Sequence, residues 1–208
     1  MRLYVITGEA GGIAATTRVC EAALEGGADV IQLRKKLMPK GEQYRLARQL
    51  RTLTRNHGAL LIVNDHADIA VAADADGVHL GQDDLDPIVV RRLPGFEHRL
   101  IGRSTHSLAQ ALQAVEAGAD YLGVGPVHAT PTKAGRPAVG IELVRAVAAA
   151  VSLPFVAIGG IDLTNASQVV AAGARAVAVV RAVSDARDPR AAAEALVGQV
   201  TALLGVQV

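Results

Sequence analysis

The residues best suited to chemistry lie together in the stretch 125–133, directly after the apolar run 121–124. The glycine at its start would let a ligand approach the backbone closely. The hydroxyls of Thr130 and Thr132 can donate hydrogen bonds, and Lys133 adds a flexible positive charge. A segment of this kind, just beyond a buried strand, is suited to holding an anion. The alternative is a solvated turn that carries a surface lysine.

Two carboxylates, Asp65 and Asp84, follow neighbouring apolar runs, and Asn64 stands beside the first. Such oxygen donors are suited to Mg²⁺, which would bridge the carboxylates to phosphate oxygens that they would otherwise repel. The cations Arg34 and Lys36 would neutralise further negative charge. Because a metal and several cations exceed what one phosphate monoester needs, the pattern predicts a pyrophosphate ligand. The alternatives are Asp65 as a helix N-cap and the basic run as a solvated loop.

The elements that must position these residues are short aliphatic runs, most of them followed by a segment with helical spacing. The runs cover residues 3–6, 30–33, 60–63, 77–80, 100–102, 121–124, 155–158 and 176–180. Hydrophobic residues make up 50% of the chain but aromatic residues only 2%, which favours a parallel sheet buried on both faces. About eight alternating units predict an α/β fold, a single (β/α)₈ TIM barrel that forms one domain over residues 1–208.

A short motif recurs ahead of several runs and supports the repeated architecture. Its copies are Gly27-Ala28-Asp29, Ala75-Asp76-Gly77, Gly118-Ala119-Asp120 and Gly173-Ala174-Arg175. Each copy predicts a helix that ends on a small residue just before a strand begins. In such a barrel, catalytic groups follow the strands at their C-terminal ends, which is where the polar residues named above fall.

The predicted loops after the seventh and eighth strands contain Gly159-Gly160, ahead of a helix that begins near Thr164, and Val180-Arg181. In α/β barrels this pair of loops often binds a phosphate through backbone N–H groups. The order of the strands therefore makes these residues a candidate phosphate site.

The histidines and the single cysteine suggest no zinc site, because no His/Cys set has the usual ligand spacing. His106, at a strand end, is a candidate acid or base, and His79 is a candidate core or barrel-lining residue. Cys20 is predicted to be buried in an amphipathic helix.

Composition argues for a small-molecule partner. The formal net charge is +1, so no global field favours nucleic acid or a membrane surface. A single cysteine is compatible with a reducing compartment, and the first apolar segment is interrupted by Gly8-Glu9. We therefore expect a cytoplasmic protein.

Taken together and in this order, the motifs resemble one family, the thiamine-phosphate synthases. The resemblance is carried by 32–36, 64–65, 77–85, 102–106, 123–133 and 158–161. It implies a transferase of thiamine biosynthesis with a TIM barrel, which joins hydroxymethylpyrimidine diphosphate to thiazole phosphate and releases pyrophosphate. It also implies a Mg²⁺ cofactor and suggests a homodimer.

The resemblance implies roles residue by residue. The pyrimidine diphosphate would be bound by Gln32, Arg34, Lys35, Lys36, Asn64, Ser104 and Lys133, of which Lys36, Ser104 and Lys133 are the expected catalytic residues. The thiazole phosphate would be bound by Thr130, Thr132, Gly160, Val180 and Arg181, and Mg²⁺ by Asp65 and Asp84.

Two positions depart from the family pattern. Lys35 stands where an acid is common, and Arg181 where a serine is common. The first adds positive charge near the diphosphate, and the second exchanges a hydroxyl donor for a guanidinium.

Two rival interpretations remain at this stage. A thiazole tautomerase of the same fold would lack the acidic and lysine positions and would use a histidine near His106. A non-catalytic barrel that binds a phosphorylated ligand would need no paired carboxylates. The presence of Lys36, Asp65 and Asp84 favours the synthase.

Overall fold

A computed structural model describes residues 1–130 and 137–205 of the chain. It contains a closed barrel of parallel strands in which each strand pairs with the next along the chain and the last pairs with the first. The strands are β1 (Leu3–Ile6), β2 (Val30–Leu33), β3 (Leu60–Asn64), β4 (Gly77–Leu80), β5 (Leu100–Thr105), β6 (Tyr121–Val124), β7 (Phe155–Ile158) and β8 (Val177–Val179). The predicted (β/α)₈ barrel is confirmed.

Helices cover the outside of this barrel. They are α1 (Ile13–Glu25), α2 (Lys40–Asn56), α3 (Ala67–Ala72), α4 (Pro87–Val90), α5 (Leu108–Glu116), α6 (Gly140–Ala150), α7 (Ala166–Ala171), α8 (Arg181–Ser184) and α9 (Pro189–Leu203). Within residues 1–130 and 137–205, none of the helices has both the length and the apolar character needed to span a bilayer.

Strand alternation divides the core into two layers. Leu3 and Val5 of β1 point outward into the large cluster between strands and helices, whereas Tyr4 and Ile6 point into the barrel. Because both faces of every strand are covered, the strands read as continuous apolar runs. Cys20 lies in the outer layer with 1% of its surface exposed, as predicted. Burial raises the pKa of its thiol to about 12.

Aspartates of the recurring motif have a structural role at the N-terminal ends of the strands. Oδ2 of Asp76 accepts hydrogen bonds from the backbone N–H of Leu61 at 2.7 Å and from Nη1 of Arg51 at 2.6 Å. Oδ2 of Asp120 accepts from the N–H of Ile101 at 2.6 Å in the same way. Each carboxylate therefore satisfies a buried donor at the start of the preceding strand.

Replacing Asp76 with alanine should lower the free energy of unfolding by roughly 1–3 kcal/mol, because the buried N–H of Leu61 loses its acceptor. Urea unfolding followed by circular dichroism measures this change. The KM values for the two substrates that the family resemblance implies should stay constant, because in such barrels the N-terminal ends of the strands lie opposite the end that carries the active site. Glu21→Ala on the exposed face of α1 is the control, and an equal loss in both variants would contradict the proposed role.

Candidate active site

A cavity of about 530 Å³ opens at the C-terminal ends of the strands. Most of the predicted site residues that the structure describes meet on its wall. They are Gln32, Arg34, Asn64, Ser104, Thr130, Gly160, Val180 and Arg181. The predicted residues Thr132 and Lys133 lie outside the described residues. Closure of the barrel therefore brings together residues from six strand ends and the loops that follow them.

A series of hydrogen bonds joins buried side chains at the base of the cavity, and all of them except Tyr121 line its wall. The hydroxyls of Tyr4 and Tyr121 are 2.9 Å apart, and Nε2 of Gln32 donates to the Tyr4 hydroxyl at 2.8 Å. Nδ1 of His79 lies 3.1 Å from the Tyr121 hydroxyl, and its Nε2 lies 2.9 Å from Oγ of Ser104. This series of hydrogen bonds crosses the barrel from β2 to β5, and its two ends are Gln32 and Ser104, both predicted to bind a ligand.

Sequence reasoning missed Tyr4 and Tyr121, because an aromatic residue within an apolar run reads as ordinary core. The available signal was strand alternation, which places Tyr4 on the same face of β1 as the cavity-lining Ile6. His79, which the sequence left as core or barrel lining, lines the cavity.

The carboxylates Asp65 and Asp84 form a contacting pair beside the cavity. Burial, followed by the interaction with Asp84, raises the pKa of Asp65 above its ordinary value, although Nζ of Lys36 lies 3.3 Å from Oδ2 of Asp65. Asp84 is fixed by a 2.6 Å hydrogen bond that its Oδ2 accepts from the N–H of Gly81. The pair carries negative charge that one lysine leaves partly uncompensated, which suits a hard divalent cation.

Asp65 does not act as the N-cap of α3, because that position belongs to His66. Instead Asp65 adopts a φ of 62°, a left-handed conformation that is uncommon for residues other than glycine. Such backbone strain is concentrated at functional sites. The N-cap alternative considered for this residue is therefore wrong.

The basic run after β2 separates into three different environments. Arg34 lines the cavity, and its Nη1 lies 3.5 Å from Oε1 of Glu9. Lys36 reaches the carboxylate pair, as described above. Lys35 is 2% exposed and lies off the cavity wall, with Nζ donating to the carbonyls of Glu9, Ala10 and Gly11 at 3.2, 2.7 and 3.0 Å.

These acceptors use the three N–H donors of the Lys35 ammonium. Desolvation by burial lowers the pKa of Lys35. The ammonium of Lys35 therefore joins the loop after β1 to the loop after β2.

The loops after β6 and β7 pack backbone against backbone. The N–H groups of Val127 and His128 donate to the carbonyls of Ile158 and Gly159 at 2.8 and 3.0 Å. A Cβ on Gly160 would lie 2.8 Å from Cβ of His128, which leaves no room for a side chain. The glycine pair thus lets the two loops approach each other, and α7 begins at Ala166, two residues later than predicted.

His106 lies after β5, and its Nδ1 contacts the carbonyl oxygen of Gly125. This contact ties the ring to the loop after β6. His106 is not among the residues that line the cavity wall.

A closed (β/α)₈ barrel whose strand ends gather cations, a carboxylate pair and a glycine-lined loop is typical of enzymes that act on phosphorylated small molecules. Residues 3–183 match the sequence profile of the family described as thiamine monophosphate synthase. The chain belongs to this family, and the resemblance seen in its motifs is confirmed.

Individual relatives agree. A thiamine-phosphate synthase of Chloroflexus aurantiacus is 50% identical over 197 residues, which cover 94% of this chain and 90% of that protein. One of Gloeobacter violaceus is 50% identical over 188 residues, and the match covers 90% of this chain but only 54% of that longer protein. The solved thiamine phosphate pyrophosphorylase from Pyrococcus furiosus superposes with a TM-score of 0.89 at 41% identity, covering 98% of this chain and 97% of that one.

Proposed function

We propose that this chain is a thiamine-phosphate synthase, a transferase that joins hydroxymethylpyrimidine diphosphate to thiazole phosphate. The observation that carries the proposal is the 50% identity to a thiamine-phosphate synthase over 94% of the chain. The cavity supports it, because its wall carries members of both sets of predicted ligand residues.

The two substrates would occupy opposite halves of the cavity rim. We assign the pyrimidine diphosphate to residues at the ends of β2, β3 and β5, namely Gln32, Arg34, Lys36, Asn64 and Ser104. We assign the thiazole phosphate to the loops after β6, β7 and β8, through Thr130, Gly160, Val180 and Arg181. Thr132 and Lys133 keep the roles that the family implies, and Lys35 is left out because its ammonium is already fully bonded.

Asp65 and Asp84 would hold Mg²⁺, because carboxylate oxygens are ligands that this hard cation prefers. Bound there, the cation would offset negative charge on the departing pyrophosphate.

In the reaction, the bond between the pyrimidine methylene carbon and the diphosphate oxygen breaks, and the thiazole nitrogen bonds to that carbon. The pyrophosphate leaves with the bonding electrons, so no nucleophilic side chain is required. Arg34 and Lys36 would stabilise the leaving anion through their positive charges, and Ser104 would donate a hydrogen bond from the cavity wall.

Purified protein supplied with both substrates and Mg²⁺ should release pyrophosphate and form thiamine phosphate. Chelation of the metal should stop both, and excess Mg²⁺ should restore them. Product formation is measured by fluorescence after oxidation to thiochrome phosphate, and pyrophosphate by a coupled enzyme assay.

The rival functions give different results in the same experiment. A tautomerase would isomerise the thiazole without releasing pyrophosphate, and a non-catalytic barrel would bind a phosphorylated ligand without turnover. No thiamine phosphate at saturating substrate concentrations would reject the synthase.

A further inference from the structure

The hydrogen-bonded chain at the base of the cavity contains two hydroxyls, Tyr4 and Tyr121, that the proposed reaction does not use. Both side chains are buried, with 2% and 6% of their surfaces exposed. Burial raises the pKa of both phenols above the ordinary value, so each hydroxyl keeps one proton to donate. A buried donor without an acceptor is costly, so the directions of these hydrogen bonds are coupled.

The direction can be followed from one end. The amide Nε2 of Gln32 can only donate hydrogen bonds, so the Tyr4 oxygen accepts one from it. The Tyr4 hydroxyl must then donate its own hydrogen bond to the hydroxyl oxygen of Tyr121. The Tyr121 proton then goes to Nδ1 of His79, which must be unprotonated. A neutral imidazole of this kind carries its proton on Nε2 and donates it to Oγ of Ser104.

The other end of the chain requires the same direction. On the proposed function, Ser104 faces a diphosphate, whose oxygens accept hydrogen bonds but have no proton to give. The Ser104 hydroxyl must therefore donate its hydrogen bond to the ligand and accept a hydrogen bond from Nε2 of His79. Both ends thus agree on a single polarity.

We propose that Tyr4 and Tyr121 are positioning residues that set this polarity. They hold Gln32 with its carbonyl oxygen available as an acceptor and Ser104 with its hydroxyl available as a donor. The ligand that fits carries an N–H donor at one end and an anionic acceptor at the other, which is the chemistry of an aminopyrimidine diphosphate. The inference rests on the proposed function for the ligand alone.

The Tyr121 ring fits inside the barrel because the neighbouring residue, Gly102, has no side chain. A Cβ on Gly102 would lie 2.2 Å from Cζ of Tyr121, so any larger residue there would displace the ring. The Tyr121 ring also packs against the imidazole of His79, with centroids 5.5 Å apart. The phenol is thereby fixed between its two hydrogen-bonding partners.

The first test needs no substrate. Nitrogen-15 NMR of histidine-labelled wild-type protein at neutral pH should show His79 as the neutral tautomer with its proton on Nε2, and His79→Asn identifies the signal. A proton on Nδ1, or an imidazolium, would overturn the proposal. This outcome does not depend on the reaction, so it separates failure of the inference from failure of the proposed function.

The second test uses Tyr121→Phe and Tyr4→Phe. Each should weaken binding of hydroxymethylpyrimidine diphosphate by about tenfold in calorimetric titrations with Mg²⁺, the effect of losing one buried hydrogen bond. The KM for thiazole phosphate should change much less, because the lost hydrogen bonds join Gln32, Tyr4, Tyr121, His79 and Ser104, which are outside the set assigned to that substrate. In Tyr121→Phe, the His79 signal should also lose its single-tautomer form, which a merely structural role would not cause.

Tyr44→Phe is the matched control, since it makes the same chemical change on the half-exposed face of α2. It should alter none of these quantities. Thermal melts check that each variant is folded. Unchanged pyrimidine diphosphate affinity in both folded barrel variants would refute the positioning role, and the wild-type NMR result stands if either variant fails to fold.

Discussion

Asp65→Asn should lower Mg²⁺-dependent turnover by at least about tenfold and at the same time raise the thermal midpoint of the metal-free protein. The first effect follows from the loss of a charged ligand to the proposed metal. The second follows from burial and, after it, from the interaction with Asp84, which together raise the pKa of Asp65 and make its ionised form unfavourable in the folded state. Asparagine also tolerates the φ of 62° at this position better than most residues do.

The pH dependence gives the sign of the stability effect. The pKa of Asp65 is higher in the folded protein than in the unfolded chain, so the unfolded chain releases its proton first as the pH rises. Between those two pKa values the stability of the wild type falls with rising pH, and above the folded pKa the full penalty remains. The stabilising effect of Asp65→Asn should therefore grow from about pH 4 upward and then level off.

Thermal melts with and without Mg²⁺ complete the experiment. The metal should raise the midpoint of the wild type, because it binds only the folded state, and should have little effect on the variant. Asp74→Asn is the matched control, since Asp74 also has a positive φ, 55°, but pairs with Arg55 and Arg99 away from the cavity. The turnover of Asp74→Asn should be unchanged and its stability slightly lower. If metal-free Asp65→Asn were no more stable than the wild type, the unfavourable ionisation of Asp65 in the folded state would be contradicted.

Gly160→Ala should raise the KM for thiazole phosphate by at least about tenfold and destabilise the protein. A Cβ at this residue would lie 2.8 Å from Cβ of His128 and 2.9 Å from the carbonyl oxygen of Ala129, so the loops after β6 and β7 must separate. Displacements on the order of 1 Å at a binding loop are enough to cost this much or more. Steady-state kinetics with each substrate varied in turn measures the effect.

Gly58→Ala is the control that separates two causes of the lost stability in Gly160→Ala, namely a left-handed alanine and the contact between the loops. Gly58 has a φ of 64°, close to the 61° of Gly160, but nothing lies within 4 Å of its Cβ position. It should therefore show only the cost of a left-handed alanine, roughly 1–2 kcal/mol, with unchanged kinetics. If both variants lost the same stability and kept the same KM, the contact between the loops would have no functional role.

The strands and their order were predictable because each strand is buried on both faces. Continuous aliphatic runs mark such strands directly, and the observed β1, β2, β4, β6 and β7 have the predicted bounds. β5 runs to Thr105, beyond the predicted 102, because Arg103, Ser104 and Thr105 are polar residues that pair in the ladder with β6. The hydrophobic pattern therefore ends before the strand does.

The meeting of the site residues on one rim was also predictable, since residues that follow parallel strands share the same end of the barrel. Asp65 and Asp84 lie 19 positions apart but follow adjacent strands, and they come into contact. Their role as metal ligands remains a prediction, as do the individual substrate contacts.

Lys35 shows where sequence adjacency misleads. Arg34, Lys35 and Lys36 read as one basic patch, but beyond the end of β2 their side chains take different directions. The ammonium of Lys35 donates hydrogen bonds to the backbone carbonyls of residues 9–11. These carbonyls come close to Lys35 only in the folded protein.

The sequence by itself determined the barrel, the family and the rim on which the ligands meet, because these depend on periodicity and on the order of strands. Only the tertiary structure decided which polar groups share hydrogen bonds. Tyr4 and Tyr121 are separated by 117 positions and belong to strands that are not neighbours, and they meet only because the barrel closes around them. Hydrogen bonds act over about 3 Å, so such partners follow from the closed packing and not from any local pattern.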